Sequence, residues 1–418
     1  MQRIRKGIGN EESKILLSKN LQKMKTVAEK KKEDCCGCTA CSSACPHNAI
    51  EMKPDGLGFM YPNVDFDKCV ECGLCVKMCQ FREDYDKILE FESPKIFALR
   101  HKNMEEMAKS QSGGAFALLS DYILENGGVV YGAGYEGHFR VVHKRATTKE
   151  ERDELRKSKY VQSDLGNVFN EVKTDLKNGL MVMFSGTPCQ TSGLIKFVGS
   201  RLRERLFVMD IVCHGVPAPF VWRNYLEWLE KKKGKKIVKV NFRDKPLFGW
   251  KSHKETFEYE DDTYTYTYTY TFYQHINLRY SCYNCKFTNM CHPSDITVSD
   301  FWGIERLSKT FAADNKGCSL VLVNTRKGEV WFEEIKDKAN VISGDVSSCL
   351  QPQLQYPAKM HPDRAKYERD FIKKGFPYVA YRYGDLGWRY YMKKGYRILR
   401  TFVGDCLRAL HLRKRVKK

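Results

Sequence analysis

Apolar and polar positions along this chain follow two periods, and the changes of period mark its organisation. Residues 11–33 place Leu17, Leu21, Met24 and Ala28 at helical spacing among charges, which predicts an amphipathic helix. From about residue 95, short apolar runs alternate with helical patterns. IFALR (96–100) reads as a strand, and GAFALLSDYILEN (114–126) as a helix that stops at Gly127–Gly128. GGVVYGAGY (127–135), MVMFSG (181–186) and LFVMDIVC (206–213) read as strands, while LGNVFNEVKTDLKNG (165–179) and VWRNYLEWLEKKKG (221–234) read as helices. The alternation predicts an α/β layer around a sheet. The period-2 tract TYTYTYTYT (263–271) predicts a hairpin strand with Tyr on one face and Thr on the other.

Composition narrows the class. Of 418 residues, 42% are apolar and 29% charged, which excludes wholesale disorder and allows two or three domains. No run approaches the ~18 apolar residues of a membrane span, and the basic start lacks an apolar signal-peptide core, so the expected location is the cytoplasm. The net charge of +20 is unevenly spread. Residues 1–34 hold 10 basic and 5 acidic side chains, and residues 361–418 hold 17 and 5, leaving the body near neutral. A nucleic-acid footprint would need a basic face on a folded domain; here the excess lies on the ends.

Seventeen cysteines require a reason. In a cytosolic chain they point to metal or redox chemistry rather than disulfides. Nine fall between Cys35 and Cys79, in two copies of one spacing: Cys35-x2-Cys38-x2-Cys41-x3-Cys45-Pro46, then Cys69-x2-Cys72-x2-Cys75-x3-Cys79. In a bacterial two-cluster ferredoxin, three thiolates of each copy hold one [4Fe–4S] cluster and the fourth reaches the other. One cluster is therefore expected on Cys35, Cys38, Cys41 and Cys79, the second on Cys69, Cys72, Cys75 and Cys45. Paired zinc sites are the alternative for CxxC spacing. Cys36 is a spare thiol without an assigned role, and Gln80 replaces the proline that would follow the second copy.

Four later segments stand out. They are Ser110-Gln111-Ser112-Gly113-Gly114 opening a helix, Lys157-Ser158-Lys159-Tyr160-Val161-Gln162-Ser163, Ser185-Gly186-Thr187-Pro188-Cys189-Gln190 with Val212-Cys213-His214-Gly215, and Cys282-x2-Cys285 followed by Cys291-His292 and Ser294–Gly303. In that order they resemble the coenzyme F420 hydrogenase/dehydrogenase β-subunit family, over residues 95–355, with the N-terminal ferredoxin that many members carry. The resemblance implies a mixed-sheet α/β flavin domain, FAD, and a third [4Fe–4S] cluster. On the matching positions it implies flavin contacts at Ser112, Gly113, Gly114, Lys159, Tyr160 and Gln162. It likewise implies cluster ligands at Cys189, Cys213, Cys282 and Cys285. A zinc knuckle using Cys282, Cys285, Cys291 and His292 is the alternative on spacing. Phe242–Lys245 with Gly249–Trp250 is a candidate stretch of the substrate cleft.

The expected organisation is then a basic N-terminal helix (1–34), a dicluster ferredoxin domain (35–90), the flavin domain (95–355) and a basic amphipathic helical tail (361–418). The expected function is an iron–sulfur flavoprotein oxidoreductase. It would pass electrons between a ferredoxin-like donor or partner subunit, its clusters, FAD and a small-molecule acceptor such as a deazaflavin. A non-catalytic electron-transfer subunit of a larger redox complex is the alternative. In the tail, Trp388, Tyr391, Met392, Leu399, Phe402, Val403, Cys406 and Leu410 share one side of a helix, with Lys393, Lys394, Arg397, Arg400 and Arg408 opposite. That pattern suits peripheral contact with the inner membrane face, or a terminal helix packed on the protein's own body.

Overall fold

The computed structural model describes residues 25–81, 90–266 and 268–409. Its centre is an eight-stranded mixed sheet built from β3 (Lys95–His101), β4 (Val129–Glu136), β5 (Arg140–Ala146), β6 (Val182–Gly186), β7 (Leu206–Ile211), β11 (Ile296–Asp300), β12 (Ser319–Val323) and β13 (Ala339–Ser343). The strand order is β13-β3-β12-β11-β7-β6-β4-β5. The four middle strands β4, β6, β7 and β11 run parallel, and antiparallel strands close both edges.

The apolar runs of the parallel strands are explained by burial on both faces. Val130, Met183 and Met209 point to one side, under the helices Ala115–Glu125 and Arg326–Lys336 with Leu119, Ile123, Trp331 and Phe332. Their neighbours Tyr131, Phe184 and Val208 point to the other, under the helices Val168–Lys177 and Pro188–Val198 with Phe169, Val172 and Leu194. Each such large side chain contributes about 1.5–3 kcal/mol by leaving water.

A second layer carries the antiparallel sheet β10-β9-β8, formed by β8 (Ile237–Asn241), β9 (Glu255–Tyr259) and β10 (Asp262–Tyr266). The helix Pro219–Lys233 packs there through Trp222 and Tyr225, and Tyr367, Phe371 and Phe376 of the helix Arg364–Arg382 join the same core. Only the second half of the basic tail, the helix Trp388–Ala409, stands outside that core. The ferredoxin-like part is small. A two-stranded sheet, β1 (Ile50–Pro54) against β2 (Met60–Val64), carries the short helices Ala40–Ser43 and Leu74–Met78, with a minor core of Val27, Cys75 and Val76.

Two expectations change. The basic N-terminal helix lies outside the described residues up to residue 24, and between Lys25 and Asp34 the chain is not α-helical. It makes two single 3-10 turns, Val27–Glu29 and Lys32–Asp34. A capping box of Thr26 with Glu29 starts the first turn, Val27 is buried, Lys30 is extended, and the second turn ends with Cys35 as its C-cap. The Tyr-Thr tract is a strand only to Tyr266. Tyr268 is buried edge-on against Trp222, centroids 4.9 Å apart, and the chain continues as the short helix Thr269–Tyr273. Aromatic burial overrides the period-2 pattern.

Candidate functional site

Three groups of thiols and one cavity form a continuous assembly. In the first group, Cys41 is half-buried with Cys35 and Cys79 near it; desolvation, and then those neighbouring thiols, push its thiol well above the usual cysteine range. Cys38 is raised too, by the hydrogen bond it donates to Cys36 and by burial, with Cys41 and Cys79 adding. Cys35, Cys38, Cys41 and Cys79 therefore come together as the repeat spacing requires. In the second group, Cys45, Cys69, Cys72 and Cys75 line one cavity of about 20 Å³ with Pro46 and Ile50.

The third group gathers cysteines far apart in sequence. Cys189 sits in the first turn of the helix Pro188–Val198, where Thr187 and Gln190 form a capping box. Thr187 Oγ1 lies 3.2 Å from Cys189 Sγ. Cys213 follows β7 and accepts the Gly215 N–H at 3.4 Å; Cys282, in the 3-10 turn Tyr280–Asn284, accepts the Val216 N–H at 3.5 Å. Cys285 caps that turn. Burial pushes the Cys282 thiol up to about 12, with Cys285 adding, and it raises Cys213 and Cys285 as well. Cys189 is raised by its hydrogen bond with Cys36, by burial, and by Cys213 and Cys285. Buried thiols this close cannot all ionise without a compensating cation, which is the donor set an iron–sulfur cluster requires.

The first and third groups touch. Gln80 Nε2 donates to Cys36 Sγ at 3.0 Å and also to the Cys189 carbonyl. Gly193 makes the approach possible, because a Cβ there would lie 2.8 Å from Cys38 Sγ. Arg279, fully buried, donates to the carbonyls of Cys35 (2.7 Å) and Met60 (2.9 Å) and to Gln162 Oε1 (3.0 Å).

The cavity, about 360 Å³, opens at the carboxyl ends of β6, β7 and β11, where open α/β sheets place their ligands. Ser112, Gly114, Lys159, Tyr160, Gly186 and Cys213 are all in its wall. Lys159 donates only to the carbonyls of Glu154 (3.0 Å), Arg156 (2.7 Å) and Lys157 (3.5 Å), and burial lowers its ammonium to about 7. Two buried polar atoms in the wall lack partners, Gln111 Nε2 and His143 Nδ1. His143 Nε2 lies 3.0 Å from the Ser185 carbonyl, so it is the protonated nitrogen and Nδ1 is a bare acceptor. A wall with basic side chains and unsatisfied polar atoms of this kind could hold an anionic organic cofactor.

Two of the residues expected at the flavin are not in the cavity wall. Gly113 packs where a Cβ would meet the Leu99 carbonyl at 2.0 Å, and it is not in the wall. Gln162 Nε2 instead donates to the Cys36 carbonyl at 2.9 Å, tying the β-sheet body to the first cysteine loop. Of the candidate cleft stretch, Arg243 lines the cavity and pairs with Asp300, while Phe242 and Trp250 are core. Lys245 is buried and donates to the Met107, Ser112 and Lys316 carbonyls. His292 faces Asp210 at 3.1 Å, and among the described residues no three His, Cys, Asp or Glu side chains are placed to hold a single metal ion. Arg279 and His143 belong to no motif of the sequence; only their burial reveals them.

Residues 180–348 match the family described as the C terminus of the coenzyme F420 hydrogenase/dehydrogenase beta subunit, and residues 34–82 match the 4Fe-4S dicluster domain. No curated protein matches the chain. Among solved structures, a chain of the F420-reducing [NiFe] hydrogenase complex from Methanosarcina barkeri is 18% identical, with a TM-score of 0.42 over 69% of this chain and 91% of that one. The chain thus carries a 4Fe–4S dicluster domain ahead of a region similar to the C terminus of the coenzyme F420 hydrogenase/dehydrogenase beta subunit.

Proposed function

We propose that this chain is an iron–sulfur flavoprotein oxidoreductase that exchanges electrons between a ferredoxin-like donor or partner subunit and a small organic acceptor. The observation that carries this reading is the contact sequence. Cys36 and Gln80 join the first thiol group to Cys189 of the third, and Cys213 of the third group is in the cavity wall. Cys35, Cys38, Cys41 and Cys79 would hold one cluster, Cys45, Cys69, Cys72 and Cys75 a second, and Cys189, Cys213, Cys282 and Cys285 a third. FAD, when bound, supplies the means to collect single electrons as a pair and deliver them as hydride.

The chain's own residues then have distinct tasks. Lys159 and the Ser112–Gly114 turn would neutralise and cradle the pyrophosphate, Gly114 with φ +95° opening the helix Ala115–Glu125. Gln111 Nε2 and His143 Nδ1 would bind polar edges of the bound group. Tyr160, packed edge-on to Phe242 at 5.6 Å, would exclude water from it.

Anaerobic reconstitution should load about twelve irons per chain, as three four-iron clusters, together with one flavin. A loaded protein should then oxidise a reduced ferredoxin-type donor at the expense of an organic acceptor. Eight irons without flavin would sink the reading. Full loading without turnover of any acceptor would leave an electron-transfer subunit.

A further inference from the structure

We propose that the C-terminal helix seats the protein on an anionic lipid surface, through an apolar face that its own body leaves uncovered. This goes beyond the redox reading and does not depend on it. The helix spans Trp388–Ala409. At about 100° per residue, Trp388, Tyr391, Met392, Tyr396, Leu399 and Phe402 fall within one arc of roughly 140°. A helix packed on its own protein would bury that arc. Here every described side chain from Tyr391 to Val403 is exposed, the arc included: Trp388 is 70% exposed, Tyr396 67% and Phe402 65%. Tyr390 lies outside the arc and makes a contact with the body, its ring edge-on to Tyr270 at 4.9 Å. The amphipathic helix thus leaves its apolar face uncovered.

Charge selects the occupant of that face. Residues 388–418 contain eleven Lys and Arg and a single acidic residue, Asp405. The exposed Lys394 and Arg400 flank the arc on its two sides. A second copy of the chain would bring two such basic ends together and be repelled. A surface of anionic headgroups is complementary instead. Trp and Tyr sit at the headgroup level, and Lys and Arg reach out to phosphates from the edges of a buried apolar stripe. Among the described residues no helix is long and apolar enough to cross a membrane, so this helix would lie in the surface. Its mounting also ties it to the cavity. The short helix Thr269–Tyr273 carries Tyr270 against Tyr390, and its Phe272 and Tyr273 are in the cavity wall.

The test uses the full reconstituted chain, sedimented with vesicles of phosphatidylcholine alone or of phosphatidylcholine with phosphatidylglycerol. The expected result is recovery with the anionic vesicles only, released by high salt. Replacing both Leu399 and Phe402 by Asp should lower partition more than about tenfold, since each loses a buried apolar anchor. Lys394→Glu with Arg400→Glu should also lower it more than about tenfold, each basic residue being worth about fivefold. Iron content and the visible spectrum should match the parent in both variants, which controls for folding. Three outcomes would overturn the proposal. They are equal recovery of the parent chain in the supernatant with both vesicle types, salt-insensitive binding to the neutral ones, and vesicle-free self-association that the Leu399/Phe402 variant abolishes, which would make a second copy the occupant.

Discussion

Arg279 Nε donates to the Cys35 carbonyl oxygen at 2.7 Å, although the two residues are 244 positions apart. The same guanidinium reaches the Met60 carbonyl and Gln162 Oε1, and its carbon lies 4.1 Å from the centre of the Tyr61 ring. One fully buried cation thereby fixes the first cysteine loop, the β2 strand and the cavity-side segment in a single geometry.

Arg279→Ala should therefore be among the most damaging single changes outside the cysteines. It leaves three buried acceptors without a donor, and breaking such a charged network costs about 3–5 kcal/mol. Thermal unfolding of the reconstituted protein should show the loss, together with less iron retained per chain. Arg279→Lys keeps the charge but not the three-way fork, so it should fall between. An unchanged melting temperature in the alanine variant would mean that the loop is held by other contacts.

Replacing Cys282 and Cys285 together by serine should remove about a third of the iron and leave the dicluster spectrum in place. Cys36→Ala should retain all of it, because Cys36 is the hydrogen-bonded neighbour of both groups rather than a fourth donor to either. Iron analysis and low-temperature electron paramagnetic resonance of the two variants, side by side, make the check. Loss of iron in Cys36→Ala would exchange it for one of the assigned ligands.

The legible parts of this chain were those where function imposes a local spacing. The cysteine repeats, the β4, β6 and β7 runs and the helices between them follow from short-range pattern, and the structure forms each of them. The edge strands β5 and β13, and the β8–β9 pair, carry mixed patterns without a clear period, since only part of each is buried. Gln162 shows a different limit. Its neighbour Tyr160 is in the cavity wall, yet Gln162 turns to Cys36 and Arg279. Which way a side chain points from a loop depends on partners more than a hundred residues away, and no local period reports that.

Lys159→Ala should weaken flavin retention about ten- to hundredfold, the worth of one charge-assisted contact to phosphate, while the iron content stays unchanged. The structure adds that Gly113→Ala should act differently. A Cβ there would clash with the Leu99 carbonyl and the Ser319 N–H, so stability should fall before affinity does. Fluorescence titration of FAD into flavin-free protein, alongside thermal unfolding, separates the two. Equal affinity in the Lys159 variant would move the pyrophosphate away from this lysine.

Lys159 also gives flavin binding a pH dependence whose sign is fixed. Burial lowers its ammonium to about 7 in the folded protein, from 10.5 when solvated. In the flavin-free protein the group is therefore largely neutral above pH 7, whereas the unfolded chain still carries its proton up to about 10.5. The unfolded state binds more protons in that window, so the stability of the flavin-free protein rises with pH from about 7 towards 10 at this site. An anionic pyrophosphate beside the amine favours the charged form and raises its pKa again. Binding above pH 7 then takes up a proton. The affinity for FAD should fall by up to about tenfold per pH unit above 7 and level off below it. Lys159→Gln, which cannot titrate, should bind more weakly and with no such slope. FAD titrations between pH 6 and 9 on the parent and the glutamine variant decide the matter: parallel curves would place the titrating group elsewhere in the cavity.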